Sequence, residues 1–159
     1  MSVLERFKTL PTVEAVARPD ALPATTSGYS RDTITLGWED RLRTRGRRAT
    51  DGGIEFGTAL PRGTVLRGGD CLVVAGLRLV VAVIERPEPV LVIRPGLPTE
   101  WAEYGYQIGN SHQPVMITDE AMICLDFPGM EQILQQHAIA FTRAVRPFTP
   151  AGLMVDHRH

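Results

Sequence analysis

Alternating apolar and polar residues run through the first half of the chain. In DTITLGW, residues 32–38, every second residue is Ile, Leu or Trp, which is the period of a half-buried strand. IEFGTAL, residues 54–60, follows an Asp51-Gly52 turn, and residues 71–84 predict two strands that reverse at Ala75-Gly76. No stretch before residue 84 has the length and period of a helix. Residues 1–86 therefore predict an all-β domain of short strands, with a loose segment near residues 10–30.

The pattern changes after Arg86-Pro87-Glu88-Pro89, because two prolines do not fit the middle of a strand or helix. VLVIRP predicts a strand that is followed by a helix, with Pro98 at its start and Thr99 as N-cap. Gly109 is expected to end this helix in the left-handed conformation. The helix would bury one face, formed by Trp101, Tyr104, Gly105 and Ile108.

Three more strands and one helix complete the second half. PVMIT and AMICLD predict two strands, Pro128 opens a second helix, and AFTRAVRPF is the last strand. The inner face of that helix is predicted to contain Met130, Ile133, Leu134 and a packed His137. The order βαββαβ over residues 87–148 is typical of a ferredoxin-like domain. Residues 149–159 are predicted to form a flexible, histidine-containing tail.

Composition limits the class of protein. The 159 residues include 43% hydrophobic and 22% charged residues, and the net charge is −1, so nothing attracts the chain as a whole to nucleic acid or a membrane. No apolar run approaches the roughly 20 residues of a membrane span, and the N-terminus does not resemble a secretory signal. The two cysteines, Cys71 and Cys124, are far apart inside apolar runs, which indicates reduced core thiols and a cytoplasmic protein.

Histidine positions suggest metal chemistry. His112 falls in a short loop between the first helix and the next strand, where an ordinary surface histidine is the simplest interpretation. One imidazole is not a metal site, but a two-fold dimer could bring two copies together. His157 and His159, one residue apart in the tail, could bind the same ion.

Two motifs resemble the urease accessory protein UreE family, the nickel metallochaperones of urease maturation. WEDRLRTRGRRATDGGIEFGTALPRGTVLRGGDCL, residues 38–72, is similar to the family's basic strand, T-D-x-G turn and L-P-R-G-T-x-L-x-x-G-D pattern. Tyr106, Gly109, Asn110, His112 and Pro114 match a tyrosine and Gly-Asn-Arg-His-x-Pro signature, with Ser111 in place of the arginine. The resemblance covers most of residues 32–152.

The resemblance implies a Ni²⁺ carrier. It implies an N-terminal domain of the peptide-binding type and a ferredoxin-like metal-binding domain through which the chain forms a homodimer. His112 from each subunit would hold one interfacial ion, and His157 and His159 would complete its shell. The implied partners are the urease accessory GTPase and the urease pre-activation complex. Pro128 and Gly129 stand where many relatives have a further histidine, so an accessory site there is not expected.

An arginine cluster leaves other functions open. Arg41, Arg43, Arg45, Arg47 and Arg48 lie within eight positions, and alternation would place several on one strand face. The strand is either a charged edge that resists pairing or a docking surface for an acidic partner. A protein- or RNA-binding module that uses this strand is one alternative function, and general Zn²⁺ or Cu²⁺ buffering is another. No catalytic constellation stands out, so no enzyme activity is expected.

Overall fold

The computed structural model describes residues 9–151 of the chain. It divides into two compact units, Met1–Glu85 and Arg86–His159. Among the described residues, no helix is both long and apolar enough to cross a membrane.

The first unit is built from two three-stranded sheets. One has the order β1-β4-β3, in which β1 is parallel and β3 antiparallel to the central β4. The other has the order β2-β6-β5, in which β2 is parallel and β5 antiparallel to β6. The elements are β1 (Thr12–Val13), β2 (Ser30–Leu36), α1 (Trp38–Leu42), β3 (Arg45–Ala49), β4 (Glu55–Ala59), β5 (Cys71–Val74) and β6 (Leu79–Glu85).

Apolar residues from both sheets form one core in this unit. Ile34 and Leu36 on β2, Phe56 on β4, and Val81 and Val83 on β6 are all at most 7% exposed and belong to one cluster. The alternation of these residues along the strands is the pattern that predicted them. The tight reversal between β5 and β6 is a 3-10 turn, Ala75–Leu77, as the sequence indicated.

Two predictions for the first unit need correction. The unit is mostly β but not all-β, because Trp38, expected to continue a strand, begins the five-residue helix α1. Five residues are too few to show a helical period, which is why the pattern missed this helix. Residues 10–30 are also more regular than predicted. They contain β1, 3-10 turns at Pro19–Ala21 and Ala24–Thr26, and a bridge from Ala17 to Cys71.

The second unit has the predicted order of strands and helices around one four-stranded antiparallel sheet, β10-β7-β9-β8. Leu91 and Ile93 on β7, with Met122 and Cys124 on β9, face the same side and share a buried cluster with residues of both helices. The elements are β7 (Glu88–Ile93), α2 (Pro98–Asn110), β8 (Val115–Ile117), β9 (Met122–Leu125), α3 (Pro128–Gln136) and β10 (Thr142–Arg146).

The opposite face of this sheet is also buried. Val90, Val92 and Ile123 alternate with the helix-facing residues and are 0–3% exposed. The polypeptide after β10 comes to this face, because the amide of Thr149 lies 3.4 Å from the sulfur of Met116, whose cross-strand partner is Ile123. Residues 149–151, expected to begin a flexible tail, are therefore placed against the sheet.

The ends of two elements differ from the predictions. α2 begins at Pro98, and its N-cap is Leu97 rather than Thr99. The carboxylate of Glu100 accepts hydrogen bonds from the amides of Gly96 (2.6 Å) and Leu97 (3.1 Å), so the helix start is capped from within. β7 begins at Glu88 and includes Pro89, which is tolerated in the first residues of a strand.

Candidate functional site

His112 itself adopts the left-handed conformation at the end of α2, with φ of 57°. The prediction that Gly109 would do so is wrong, because α2 continues to Asn110 and Gly109 is helical. The amide of Ser111 donates to Ile108 O and that of His112 to Gly109 O, each at 3.1 Å, and the Ser111 hydroxyl also donates to Ile108 O at 2.6 Å. These bonds close the last turn and fix the backbone from which the exposed imidazole projects.

The C-terminal segment is attached beside this turn. The amide of Ala151 donates to Val115 O at 2.6 Å, and Val115 is the first residue of β8, three positions after His112. His157 and His159 lie outside the described residues. The described segment therefore ends beside the turn that carries His112.

The described residues of a single chain do not form a complete metal site. Within residues 9–151, no three His, Cys, Asp or Glu side chains cluster closely enough to hold an ion. His112 has a solvent-exposed imidazole, whereas a metal such as Ni²⁺ or Zn²⁺ needs about four or more donors. A metal site at His112 would therefore need donors from outside residues 9–151 of one chain.

His137 does not pack in the core, contrary to the sequence prediction. α3 ends at Gln136, so His137 is its C-cap and its side chain is exposed. Ala138 follows with φ of 54°, and this left-handed residue turns the chain away from the helical face. Met130 and Leu134 are fully buried as predicted. The predicted apolar face ran one residue past the end of the helix, to His137.

The arginine cluster divides into buried and exposed members. Arg41 lies on α1 rather than on a strand and is 1% exposed, with its guanidinium 3.3 Å from Leu66 O and 3.6 Å from the Glu85 carboxylate. It therefore cannot contact a partner as proposed from alternation. Arg43, Arg45 and Arg47 are exposed.

Arg48 is a structural residue that the sequence did not identify. It is 4% exposed, and its guanidinium donates to the carbonyls of Asp40 and Arg43 and to the Thr58 hydroxyl. These carbonyls stand at the end of α1, where backbone acceptors have no partner within the helix. Burial lowers the pKa of Arg48, and the neighbouring Arg43 charge acts in the same direction. Alternation places Arg48 on the strand face opposite Arg45 and Arg47, but its partners at the end of α1 could not be predicted, because α1 itself was not.

The longest motif of the chain, residues 38–72, contains three turns in which a glycine has positive φ. Gly53, Gly63 and Gly69 have φ of 88°, 84° and 88°, which favours glycine. No heavy atom would contact a Cβ at Gly53 or Gly63 within 4 Å, so conformation rather than space accounts for these residues. Asp51 fastens the first turn to β2 by accepting from Thr33 Oγ1 at 2.6 Å and Thr35 N at 3.0 Å.

Both cysteines are free and buried, as predicted. Burial raises the pKa of the Cys124 thiol to about 12, and burial also raises that of Cys71. Both thiols are therefore buried core side chains, and neither is exposed as His112 is.

Comparison with known proteins gives a consistent result along the chain. Residues 13–85 match the family model described as the N-terminal domain of UreE urease accessory protein, and residues 88–159 match that of its C-terminal domain. Proteins named urease accessory protein UreE are similar to the chain. One from Synechococcus sp. (strain JA-3-3Ab) is 36% identical over 76% of this chain and 80% of its own length. One from Citrobacter koseri is 34% identical over 80% and 84%.

The share of each relative's own length that the match covers differs among these proteins. The UreE protein of Burkholderia ambifaria is 35% identical over 74% of this chain, but the match spans only 58% of that protein. The chain thus spans less than two thirds of some of the relatives it matches.

Proposed function

Because the chain belongs to the UreE family of urease accessory proteins, we propose that it binds Ni²⁺ and delivers the ion to the urease maturation complex. In this proposal a homodimer holds one ion between two copies of His112, and His157 and His159 assist. The accessory GTPase and the urease pre-activation complex receive the ion. Family membership also supports the prediction that the chain is not itself an enzyme. The two free, buried thiols favour a cytoplasmic location.

The observation that carries the proposal is the exposed, left-handed His112 at the closed end of α2. A non-glycine residue with positive φ is uncommon and costs conformational energy, and such residues are concentrated at functional sites. The hydrogen bonds of the last helical turn hold its backbone. The imidazole can therefore meet an ion without a large loss of backbone freedom.

The second support is the anchored C-terminal segment. The bond from Ala151 to Val115 starts the tail next to the turn that carries His112. A donor on such a tail can join the shell after the ordered ligand has bound and can leave first during transfer. Neutral imidazole is the ligand form, so affinity should fall as the pH is lowered.

The second unit is proposed to be ferredoxin-like and to form the dimer contact, with residues 87–148 as the metal-binding domain. Its βαββαβ order and antiparallel β10-β7-β9-β8 sheet support the fold assignment. A two-fold contact uses the same patch on both subunits, so a contact near His112 would pair the two imidazoles.

Titration calorimetry with Ni²⁺, combined with light scattering, tests the proposal. The parent should be dimeric and bind about one ion tightly per dimer. His112→Gly should remove the tight site, whereas deleting residues 155–159 should weaken binding but leave a measurable site. His137→Gln is the matched control, since it removes another exposed histidine of the same unit. Parent-like binding by His112→Gly, or a monomer with and without nickel, would refute the interfacial site.

General Zn²⁺ or Cu²⁺ buffering is the alternative with a specific basis, because imidazole binds all three ions. The same titration with Zn²⁺ and Cu²⁺ measures the preference. A transfer assay with the accessory GTPase then separates a carrier from a buffer, since only a carrier should pass Ni²⁺ on faster than free dissociation allows.

The exposed arginines Arg43, Arg45 and Arg47 are proposed to dock a maturation partner of acidic character. Changing Arg43 and Arg45 to Glu should weaken that complex in a salt-dependent way and leave nickel affinity unchanged. Unchanged partner affinity would leave the cluster as a charged edge strand only.

A further inference from the structure

Among residues 9–151, β3 is the outer strand of its sheet, and the register shows which of its backbone groups point away from β4. Thr50 N donates to Ile54 O and Leu60 N donates to Thr44 O, both at 2.9 Å, in continuation of the β3–β4 register. Hydrogen-bonded pairs alternate along an antiparallel ladder, so the even-numbered residues of β3 point their amides and carbonyls at β4. The odd-numbered residues, Arg45, Arg47 and Ala49, point theirs away from the sheet.

The side chains of β3 alternate in the same way. Arg48 faces the interior of the unit and is buried, as is Phe56, its partner on β4. Arg45, Arg47 and Ala49 lie on the other face and are exposed. The residues with outward backbone groups therefore also present two guanidinium groups to solvent, along a strand about 17 Å long.

The ion pairs at this edge are weak. Arg47 lies 3.7 Å from the Glu55 carboxylate, and their side chains are 69% and 54% exposed. Arg43 and Asp40 are likewise exposed and 3.7 Å apart. Exposed pairs of this kind contribute little to stability, so a better-placed carboxylate can replace either acid.

We propose that the β3 edge binds an extended acidic segment of a partner protein by strand addition. The incoming strand would pair its backbone with Arg45, Arg47 and Ala49. Its side chains on the exposed face recur every second residue, so acidic residues at alternate positions would lie beside the two guanidinium groups. This deepens the proposed docking role of the arginines, because it specifies the conformation and residue pattern of the partner.

Charge and backbone chemistry select this occupant. A second copy of the chain paired at this edge would bring arginine rows together, which like-charge repulsion disfavours. A nucleic acid would satisfy the guanidinium groups but has no amide ladder to match the outward backbone groups. An acidic peptide strand satisfies both sets.

The test uses the full chain and a synthetic peptide, in which glutamate alternates with threonine over a length that spans β3. Fluorescence anisotropy measures its affinity, and hydrogen exchange by NMR reports on single amides. We expect binding that weakens as salt is raised, with slower exchange at Arg45, Arg47 and Ala49. The amide of Arg48 already faces β4 and should change little. A peptide with glutamine in place of glutamate is the charge control.

Two variants separate strand addition from simple charge attraction. Arg45→Glu combined with Arg47→Glu should weaken the peptide about tenfold or more at low salt. Ala49→Pro removes one outward amide, which an edge strand tolerates, and should also weaken binding although no charge changes. Circular dichroism and thermal unfolding check that both variants fold.

Several results would overturn the inference. These are full binding by Ala49→Pro, no change in exchange at the outward amides, no binding at millimolar peptide, or tighter binding of a single-stranded oligonucleotide. Self-association that Ala49→Pro abolishes would assign the edge to a second copy instead. Nickel titration of the same variants keeps the two proposals apart. His112→Gly should bind the peptide normally whether or not it binds nickel.

Discussion

Glycine and alanine at position 112 should differ in stability because the backbone there is left-handed. With φ of 57°, an L residue carries a cost of about 1–2 kcal/mol relative to glycine, whose hydrogen replaces the Cβ. Glycine loses more freedom on folding, which offsets about 0.5–1 kcal/mol. His112→Gly should therefore be more stable than His112→Ala by roughly 0.5–1 kcal/mol. Both variants lack the imidazole and should lose nickel equally.

Urea unfolding in a Trp38→Phe background measures this difference, since Trp101 on α2 is then the only tryptophan. With an m value of about 2 kcal/mol/M, the midpoints should differ by roughly 0.3–0.5 M. Gln113 supplies the control, because it is exposed, next to His112 and without positive φ. At position 113 the glycine variant should be no more stable than the alanine variant, or less stable. If alanine equals or exceeds glycine at 112, the left-handed assignment is wrong.

Three further predictions address other parts of the chain. Hydrogen bonds from β2, led by the Thr33 hydroxyl, lower the pKa of Asp51. Its stabilisation is therefore complete above the unfolded pKa of about 3.9 and lost as pH falls through the lower folded value. The Asp51→Asn variant should not lose this contribution to stability as the pH is lowered, and acid unfolding of the two proteins measures the difference. Cys124 should resist iodoacetamide at pH 8 in the native chain and react in urea, and native labelling would show that it is not buried. Replacing the exposed His137 with Ala should change stability by less than about 0.5 kcal/mol. Because Ala138 has positive φ, Ala138→Gly should increase stability by about 0.4–1 kcal/mol. Thermal unfolding of both variants measures these differences.

The sequence predicted the second unit well because its signals were local and strong. Pro98 and Pro128 each begin a helix, and the buried faces of both helices repeat over more than one turn. The five-residue helix α1 has no such repeat, so its presence and the burial of Arg41 could not be read from the pattern. Alternation was expected to place several of these arginines on one strand face, and this prediction failed for Arg41, which belongs to α1.

Errors at helix ends have a related cause. Gly109-Asn110 offered an easy left-handed pair, yet α2 continued through it and His112 took that conformation. The preference of glycine and asparagine for the left-handed conformation is worth little energy, and the hydrogen bonds that close the turn outweigh it. The same limit applies at His137, where the apolar period gave no sign that α3 stops at Gln136. The anchor at Ala151 joins segments distant in sequence, and no local pattern predicts such a bond.

The left-handed glycines at positions 53, 63 and 69 have a consequence for how such chains diverge in evolution. All three lie in the motif that most clearly relates the chain to its family, yet they serve turns of the first unit, and His112 lies in the second. Selection on turn geometry and selection on the imidazole therefore act on separate parts of the gene. A descendant could lose the histidine, keep every glycine, and remain recognisable as a relative without the proposed metal ligand.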